Sequence, residues 1–280
     1  MFDLHSHLLP DLDDGAPNLS TSLAMARAYL SEGVVCVACT PHILPGLYAN
    51  SGEQIKQAVD ALQLRLDDAG IPLKLVSGAD NHVVPDFVQG LRSGRLLPLA
   101  QSAYVLVEPP HHAAPIRLGE LFFSIMSAGY VPVLTHPERL SWIESKYDVI
   151  KTLAANGVWM QITSGALGGR FGSRPRYWAE RMLAEGLAHI LATDAHNMKS
   201  RPPDLLEGRK HAERLVGAEE AQHLVVTRPQ GALLNMSPNT LPLPQSGAVR
   251  LELCENDGPA QTSSPNVRGG LGQRMRGLFT

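Results

Sequence analysis

Gly33-Val34-Val35-Cys36-Val37-Ala38-Cys39-Thr40-Pro41-His42 joins a glycine, a run of β-branched and small apolar residues, and a terminal histidine. A continuous apolar run of this length reads as a strand buried on both faces, the mark of a parallel sheet. Gly33 closes the helical pattern Ser20–Ser31, whose start is signalled by Asn18-Leu19-Ser20. Cys36 and Cys39 are formally a C-x-x-C pair. Residues three apart in a strand point to opposite faces roughly 10 Å apart, too far for a disulfide, so these read as core thiols.

The same unit recurs along the chain. Apolar runs at Met1–Leu4, Leu73–Ser77, Ala103–Val107, Val131–Leu134, Val158–Ile162 and His189–Ala192 join Val34–Cys39. Helical patterns lie between and after them at Glu53–Ala69, Pro85–Gly90, Pro115–Ala128, Lys146–Asn156, Arg176–Glu185 and Leu205–Leu215. Gly70, Gly129, Gly157 and Gly186 are expected to close helices just before strands. Seven strand–helix units predict an α/β fold, a seven-stranded β/α barrel one unit short of the common eight. A doubly wound open sheet is the alternative.

Composition agrees with a large core. Of 280 residues 44% are hydrophobic and 18% charged, too apolar for general disorder. A net charge of −3 argues against a protein that works by coating nucleic acid or anionic lipid. The N-terminus carries acids and histidines where a signal peptide needs a basic start and an apolar run. With no stretch of about 18 apolar residues, a cytoplasmic protein without membrane insertion is expected. The β/α pattern ends near Asn235, so residues 1–236 form the expected domain. Residues 237–280, rich in Ser, Pro, Gly, Asn and Gln, read as a disordered tail. Its short runs Val249–Leu253 and Gln273–Phe279 are read as linker rather than docking segments.

Eleven histidines against only three cysteines point to metal ligation or acid–base chemistry rather than structural zinc fingers. Their placement sharpens this. His5 and His7 follow the first strand, His42 the second and Asp80 the third. Glu108 follows the fourth, His136 the fifth, and Asp194 with His196 the seventh, while Asp14 lies in the first loop. The C-terminal ends of β/α-barrel strands gather at one mouth. The spacings His5-Ser6-His7 and Asp194-Ala195-His196 put two donors on one side of extended chain, able to grip one ion. His111 and His112, after Glu108-Pro109-Pro110, are secondary candidates for facing substrate. His82, His189, His211 and His223 are expected in surface or packing roles.

Five ordered blocks now carry a family resemblance: Asp3–Ala16 (DLHSHLLPDLDDGA), Thr40-Pro41-His42, Thr135–Arg139 (THPER), Gln161–Gly172 (QITSGALGGRFG) and Thr193–Pro203 (TDAHNMKSRPP). Over about residues 1–235 the chain resembles the CpsB/YwqE-type bacterial tyrosine phosphatases of the polymerase-and-histidinol-phosphatase (PHP) superfamily. The resemblance implies a distorted seven-stranded PHP barrel, up to three divalent ions, and hydrolysis of phosphotyrosine. The implied protein substrate is a cytoplasmic bacterial tyrosine kinase controlling capsule or exopolysaccharide synthesis. It also implies one ion on His5, His7, Asp80 and Asp194, a second on Asp80, Glu108 and His136, and a third on Asp14, His42 and His196. Mn²⁺ is the implied metal, with Fe or Zn²⁺ compatible with the same donors. There is one departure: the family position matching Asp80 is usually Glu, so this carboxylate reaches roughly 1.5 Å less far.

Charge counting favours phosphate as the substrate group. Four carboxylates among these ligands, set against three divalent ions, leave two surplus positive charges, whereas two ions leave none. Arg139 and Arg201 are placed to add positive charge, and both match phosphate-contacting arginines of the family. His42 or His196 would serve as proton donor to the leaving group if free of metal. A cysteine phosphatase is excluded, because C-x₅-R would need arginine where His42, Pro45 and Ala260 stand. The remaining rivals are a PHP phosphoesterase for a small metabolite such as histidinol phosphate, an amidohydrolase-like enzyme, and a non-catalytic metal-binding scaffold. No strand-end lysine supports the amidohydrolase, and no ligand is missing as a scaffold would suggest.

Overall fold

A computed structural model describes residues 1–247. Among these residues there are nine parallel strands. They are β1 (Phe2–Ser6), β2 (Cys36–Cys39), β3 (His42–Ile43), β4 (Lys74–Ser77), β5 (Asp80–His82), β6 (Tyr104–Glu108), β7 (Val131–Thr135), β8 (Trp159–Thr163) and β9 (Ile190–Ala192). All seven expected runs are strands. The second and third gain short extensions, β3 and β5, each after a two-residue break that bends the chain.

The strands form two sheets, β1-β2-β4 and β3-β5-β6-β7-β8-β9. Because β3 prolongs β2 and β5 prolongs β4, the two sheets share one wall. β9 and β1 lie side by side but form no ladder. They meet only past the end of β9, where Asp194 N–H donates to His5 O at 2.8 Å and His7 N–H to Ala195 O at 2.9 Å. The barrel is therefore open rather than continuously closed, with its strand ends joined around the mouth.

The helices α1 (Leu19–Ser31), α2 (Gly52–Asp68), α3 (Phe87–Arg92), α4 (Leu118–Ser127), α5 (Ile143–Ala155), α6 (Ser164–Leu167), α7 (Ser173–Ala184), α8 (Leu205–Gln222) and α9 (Arg228–Leu233) cover this wall. Their ends follow from local chemistry. The Asn18 side chain accepts the Thr21 N–H at 3.0 Å to start α1. Gly33, at φ +80°, lets the chain reverse so that Val34 N–H reaches Tyr29 O. Spacing also sets the buried faces: α2 turns Ile55, Val59, Leu62 and Leu66 inward. No helix among the described residues is long and apolar enough to cross a membrane.

The floor of the barrel is apolar, formed by Leu4, Ala38, Tyr104, Leu106, Val133, Trp159 and Ile190, with Leu99, Ala232 and Leu241 pressed against them. Leu4 and His5 both belong inside, although neighbours in a strand should alternate. The register of β1 on β2 slips between Asp3 and Ser6, a bulge that re-aims the strand. Below the slip Leu4 enters the floor; above it His5 and His7 enter the mouth, while Ser6 turns out to accept the Tyr29 hydroxyl of α1.

The chain does not leave this body at Ser237. Arg228, fully buried, donates to both oxygens of Glu220 (2.6 and 2.7 Å) and to Pro242 O (2.8 Å) and His189 O (3.0 Å). Leu241 is buried, and Gly247 N–H donates to Ala184 O. Residues 237–247 are thus part of the packed unit, and the rest of the expected tail, 248–280, lies outside the described residues. Removing Glu220 leaves the Arg228 charge buried without its partner. Glu220→Ala is expected to cost about 3–5 kcal/mol of unfolding free energy, read as a lower urea midpoint; an unchanged midpoint contradicts this role.

Candidate metal centre at the barrel mouth

All nine residues singled out as ligands converge at the mouth. His5 Nε2 lies 3.4 Å from Asp80 Oδ2 and 3.5 Å from Asp194 Oδ1. His7 Nε2 lies 3.2 Å from Asp194 Oδ1. His42 Nδ1 stands 3.2 Å from Glu108 Oε2 and 3.5 Å from Asp80 Oδ2. His136 Nε2 approaches Glu108 Oε1 at 3.6 Å and Asp80 Oδ2 at 3.8 Å. Asp14 Oδ1 sits 3.4 Å from His196 Nε2 and 3.6 Å from His42 Nε2. Donor atoms of His7, Asp14, His42 and His196, of His5, His7 and Asp80, and of His5, His136 and Asp194 form groups within 4.8 Å.

The donors fit divalent ions on physical grounds. Neither oxygen of buried Asp80 has a hydrogen-bond partner among the described residues, nor do Glu108 Oε2, His136 Nδ1 and His196 Nε2. Buried polar atoms are ordinarily paired, and a buried carboxylate needs a compensating cation. Burial opposes charging of His5, yet Asp80 and Asp194 outweigh it and raise its pKa to about 9. Burial likewise opposes ionisation of Asp194, but Arg201, His5 and Arg139 hold it well below the usual carboxylate range. The site therefore keeps its carboxylates charged and draws positive charge to them.

His136 (φ +34°) and Asp194 (φ +51°) are both left-handed, a conformation disfavoured for residues with a Cβ. Such backbones cluster at functional sites. Both expected arginines face Asp194 Oδ2, Arg139 through Nη1 and Arg201 through Nη2. Arg139 also lies 4.4 Å above the Phe171 ring, while Arg201 Nε is buried without a partner. Tyr48 stacks on His42 with centroids 5.6 Å apart, placing a second aromatic ring beside the centre.

Several residues of the centre escaped the sequence. Asp13 Oδ2 binds His7 Nδ1 at 2.6 Å and accepts His42 N–H at 2.9 Å. Gln161 Oε1 lies 2.9 Å from His5 Nδ1. Both fix which ring nitrogen faces the mouth. Gly15 lets their loop cross His7: a Cβ there would lie 2.3 Å from His7 O. Asp3, also buried, accepts the Thr193 hydroxyl and ties β1 to the chain beyond β9. Buried Glu138 accepts Thr163 N–H at 2.9 Å, and burial raises its pKa to about 7. His82, expected in a surface or packing role, instead points into the centre, 2.5 Å from Glu108 Oε2. A clue was present, because Asp80-Asn81-His82 has the spacing of Asp194-Ala195-His196. Of the secondary pair, His111 faces Glu108 at 3.8 Å and His112 is exposed. Cys36 and Cys39 are buried free thiols, and burial pushes Cys36 up to about 11 and Cys39 further.

Comparison with known proteins agrees with this architecture. Residues 1–234 match the family model for capsular polysaccharide synthesis, CpsB/CapC. The chain belongs to this family. It is 35% identical over 219 residues to the tyrosine-protein phosphatase YwqE of Bacillus subtilis, covering 78% of this chain and 86% of that protein. It is 27% identical over 247 residues to the tyrosine-protein phosphatase CpsB of Streptococcus pneumoniae, covering 84% and 99%. A chain from the crystal structures of YwqE and CpsB, described as unique metal-dependent tyrosine phosphatases, superposes with a TM-score of 0.83 at 33% identity. It covers 89% of this chain and 100% of that one. An organophosphorus hydrolase, at 12% identity and a TM-score of 0.51, shares the fold alone.

Asp13 is the tether most exposed to test. Asp13→Ala is expected to weaken divalent-ion binding by about 10- to 100-fold, measured by calorimetry. Unchanged affinity would show that His7 needs no such orientation.

Proposed function

We propose that this chain is a metal-dependent protein-tyrosine phosphatase acting on a phosphotyrosine protein, a cytoplasmic tyrosine kinase of capsule or exopolysaccharide synthesis. The observation that carries the proposal is the convergence of buried carboxylates and imidazoles around unpartnered Asp80. The family and its named relatives support the same activity.

In this proposal His5, His7, Asp80 and Asp194 hold one ion, Asp80, Glu108 and His136 a second, and Asp14, His42 and His196 a third, with Mn²⁺ favoured over Fe or Zn²⁺. Such ions, when bound, supply positive charge against phosphate oxygens and make a water molecule acidic enough to act as nucleophile. The remaining work falls to the chain. Arg139 and Arg201 offer planar forks that match phosphate oxygens and stabilise charge developing on them. Asp13 and Gln161 hold His7 and His5 in one orientation, so the mouth is preorganised. Phe171 and Tyr48 supply flat apolar faces for the aryl ring of the substrate.

Proton donation to the leaving group is the lesser requirement. Both ring nitrogens of His42 face carboxylates, and His196 Nδ1 lies 2.9 Å from its neighbour's Asp194 O. Either residue would have to give up a ligand contact to act as acid. A departing phenolate, whose conjugate acid has a pKa of about 10, needs little such help. The rival phosphoesterase for a small metabolite would use the same ligands, so substrate preference separates the two.

Chelation with EDTA is expected to abolish hydrolysis of a phosphotyrosine peptide and Mn²⁺ to restore it, with histidinol phosphate a poor substrate. His5→Ala or Asp194→Ala should lower kcat by about 100-fold or more; retained activity would sink the site assignment. Because the described thiols are buried and held protonated, iodoacetamide should leave the rate unchanged, and inactivation traced to Cys36 or Cys39 would revive a cysteine mechanism.

A further inference from the structure

Asp80 is not the only residue of its strand directed at the mouth. In extended β5, Asp80 and His82 project to one side and Asn81 to the other. The Asn81 side chain is locked there, its amide donating to Ala79 O, Leu97 O and Leu106 O and its oxygen accepting Leu97 N–H. That lock fixes the face on which His82 stands. The parallel register of β5 on β6 sets His82 directly opposite Glu108. Its Nε2 lies 2.5 Å from Glu108 Oε2 and 3.3 Å from His42 Nδ1. The contact with His42 is of hydrogen-bond length, whereas Glu108 Oε2 is buried with no hydrogen-bond partner among the described residues. At 2.5 Å His82 Nε2 and Glu108 Oε2 leave no room for an ion directly between them, but both can turn lone pairs toward one ion at their side. His42, His82 and Glu108 each present one donor atom within 4.8 Å of the others.

We infer that His82 is a metal ligand, sharing with Glu108 the ion that the proposed function assigns to Asp80, Glu108 and His136. This rests on the metal-centre proposal and extends it by a donor. That ion would then have two imidazoles, His82 and His136, beside the carboxylates of Asp80 and Glu108. Imidazole suits Co²⁺, Ni²⁺ and Zn²⁺ better than it suits Mn²⁺. The added imidazole should therefore shift the Glu108 site toward the former ions.

The test uses the full chain, stripped by chelator and titrated with Co²⁺ alone. Binding is followed by calorimetry and visible d–d absorption, and the ligating imidazoles by their hyperfine-shifted N–H proton resonances. His82→Gln and His82→Ala are compared with the native chain, with thermal melting as the check on folding. The expected result is weakening of one Co²⁺ equivalent by about 10-fold or more, a changed d–d spectrum for that equivalent alone, and loss of one shifted imidazole resonance. A role confined to hydrogen-bonding Glu108 would keep every shifted resonance, and that outcome overturns the inference. If the native chain binds neither Co²⁺ nor Mn²⁺, the metal-centre proposal itself fails, whatever His82 does.

Discussion

Burying carboxylates is the constraint from which the rest of this structure follows. Asp80 and Asp194 are sealed from solvent at the centre of the mouth, and a carboxylate removed from water is stable as an anion only beside positive charge. The mouth answers with imidazoles on every side and two guanidiniums on Asp194 Oδ2. Even so, neither oxygen of Asp80 has a hydrogen-bond partner among the described residues. A protein evolved only for stability would replace such a group with something apolar. Retaining it makes sense where a cation is to be held and its charge turned on a phosphate dianion.

The surrounding scaffold is organised to keep the side chains of the mouth from moving. Each imidazole of the His5–His7 pair is gripped from behind, by Gln161 in one case and Asp13 in the other. The bulge in β1 is what allows an apolar floor residue, Leu4, to be followed at once by His5 in the mouth. Left-handed backbones at His136 and Asp194 show that the fold accepts local strain to aim these two side chains.

Much of this could be read from residue order. Doubly covered parallel strands are written as continuous apolar runs, so a His, Asp or Glu directly after such a run has to lie at the mouth. That logic located eight of the nine converging residues; Asp14, in the loop after the first strand, was added by the family resemblance. It failed where strand and polarity part company. β5 is Asp80-Asn81-His82, a strand with no apolar residue, and hydrophobic periodicity has nothing to detect there. Asp13 looked like one more loop acid beside Asp14, and Gln161 supports a histidine 156 positions away. Residues 237–247 have the composition of a linker because they are held mainly through backbone atoms, by the buried Arg228 and by Ala184, with one buried leucine, Leu241.

The meeting of β1 with the chain beyond β9 has a consequence for how the protein is made. Asp3 and Thr193, which clasp that seam, are 190 residues apart, and the mouth residues on either side of it come from both ends of the barrel sequence. Translation emits the first histidines early and Asp194 late, at about 5–20 residues per second. For roughly ten seconds or more a growing chain carries His5 and His7 with no opposite wall to complete their site. The mouth is thus complete only once the last strand has been made, and a truncated product of interrupted synthesis would lack one of its walls.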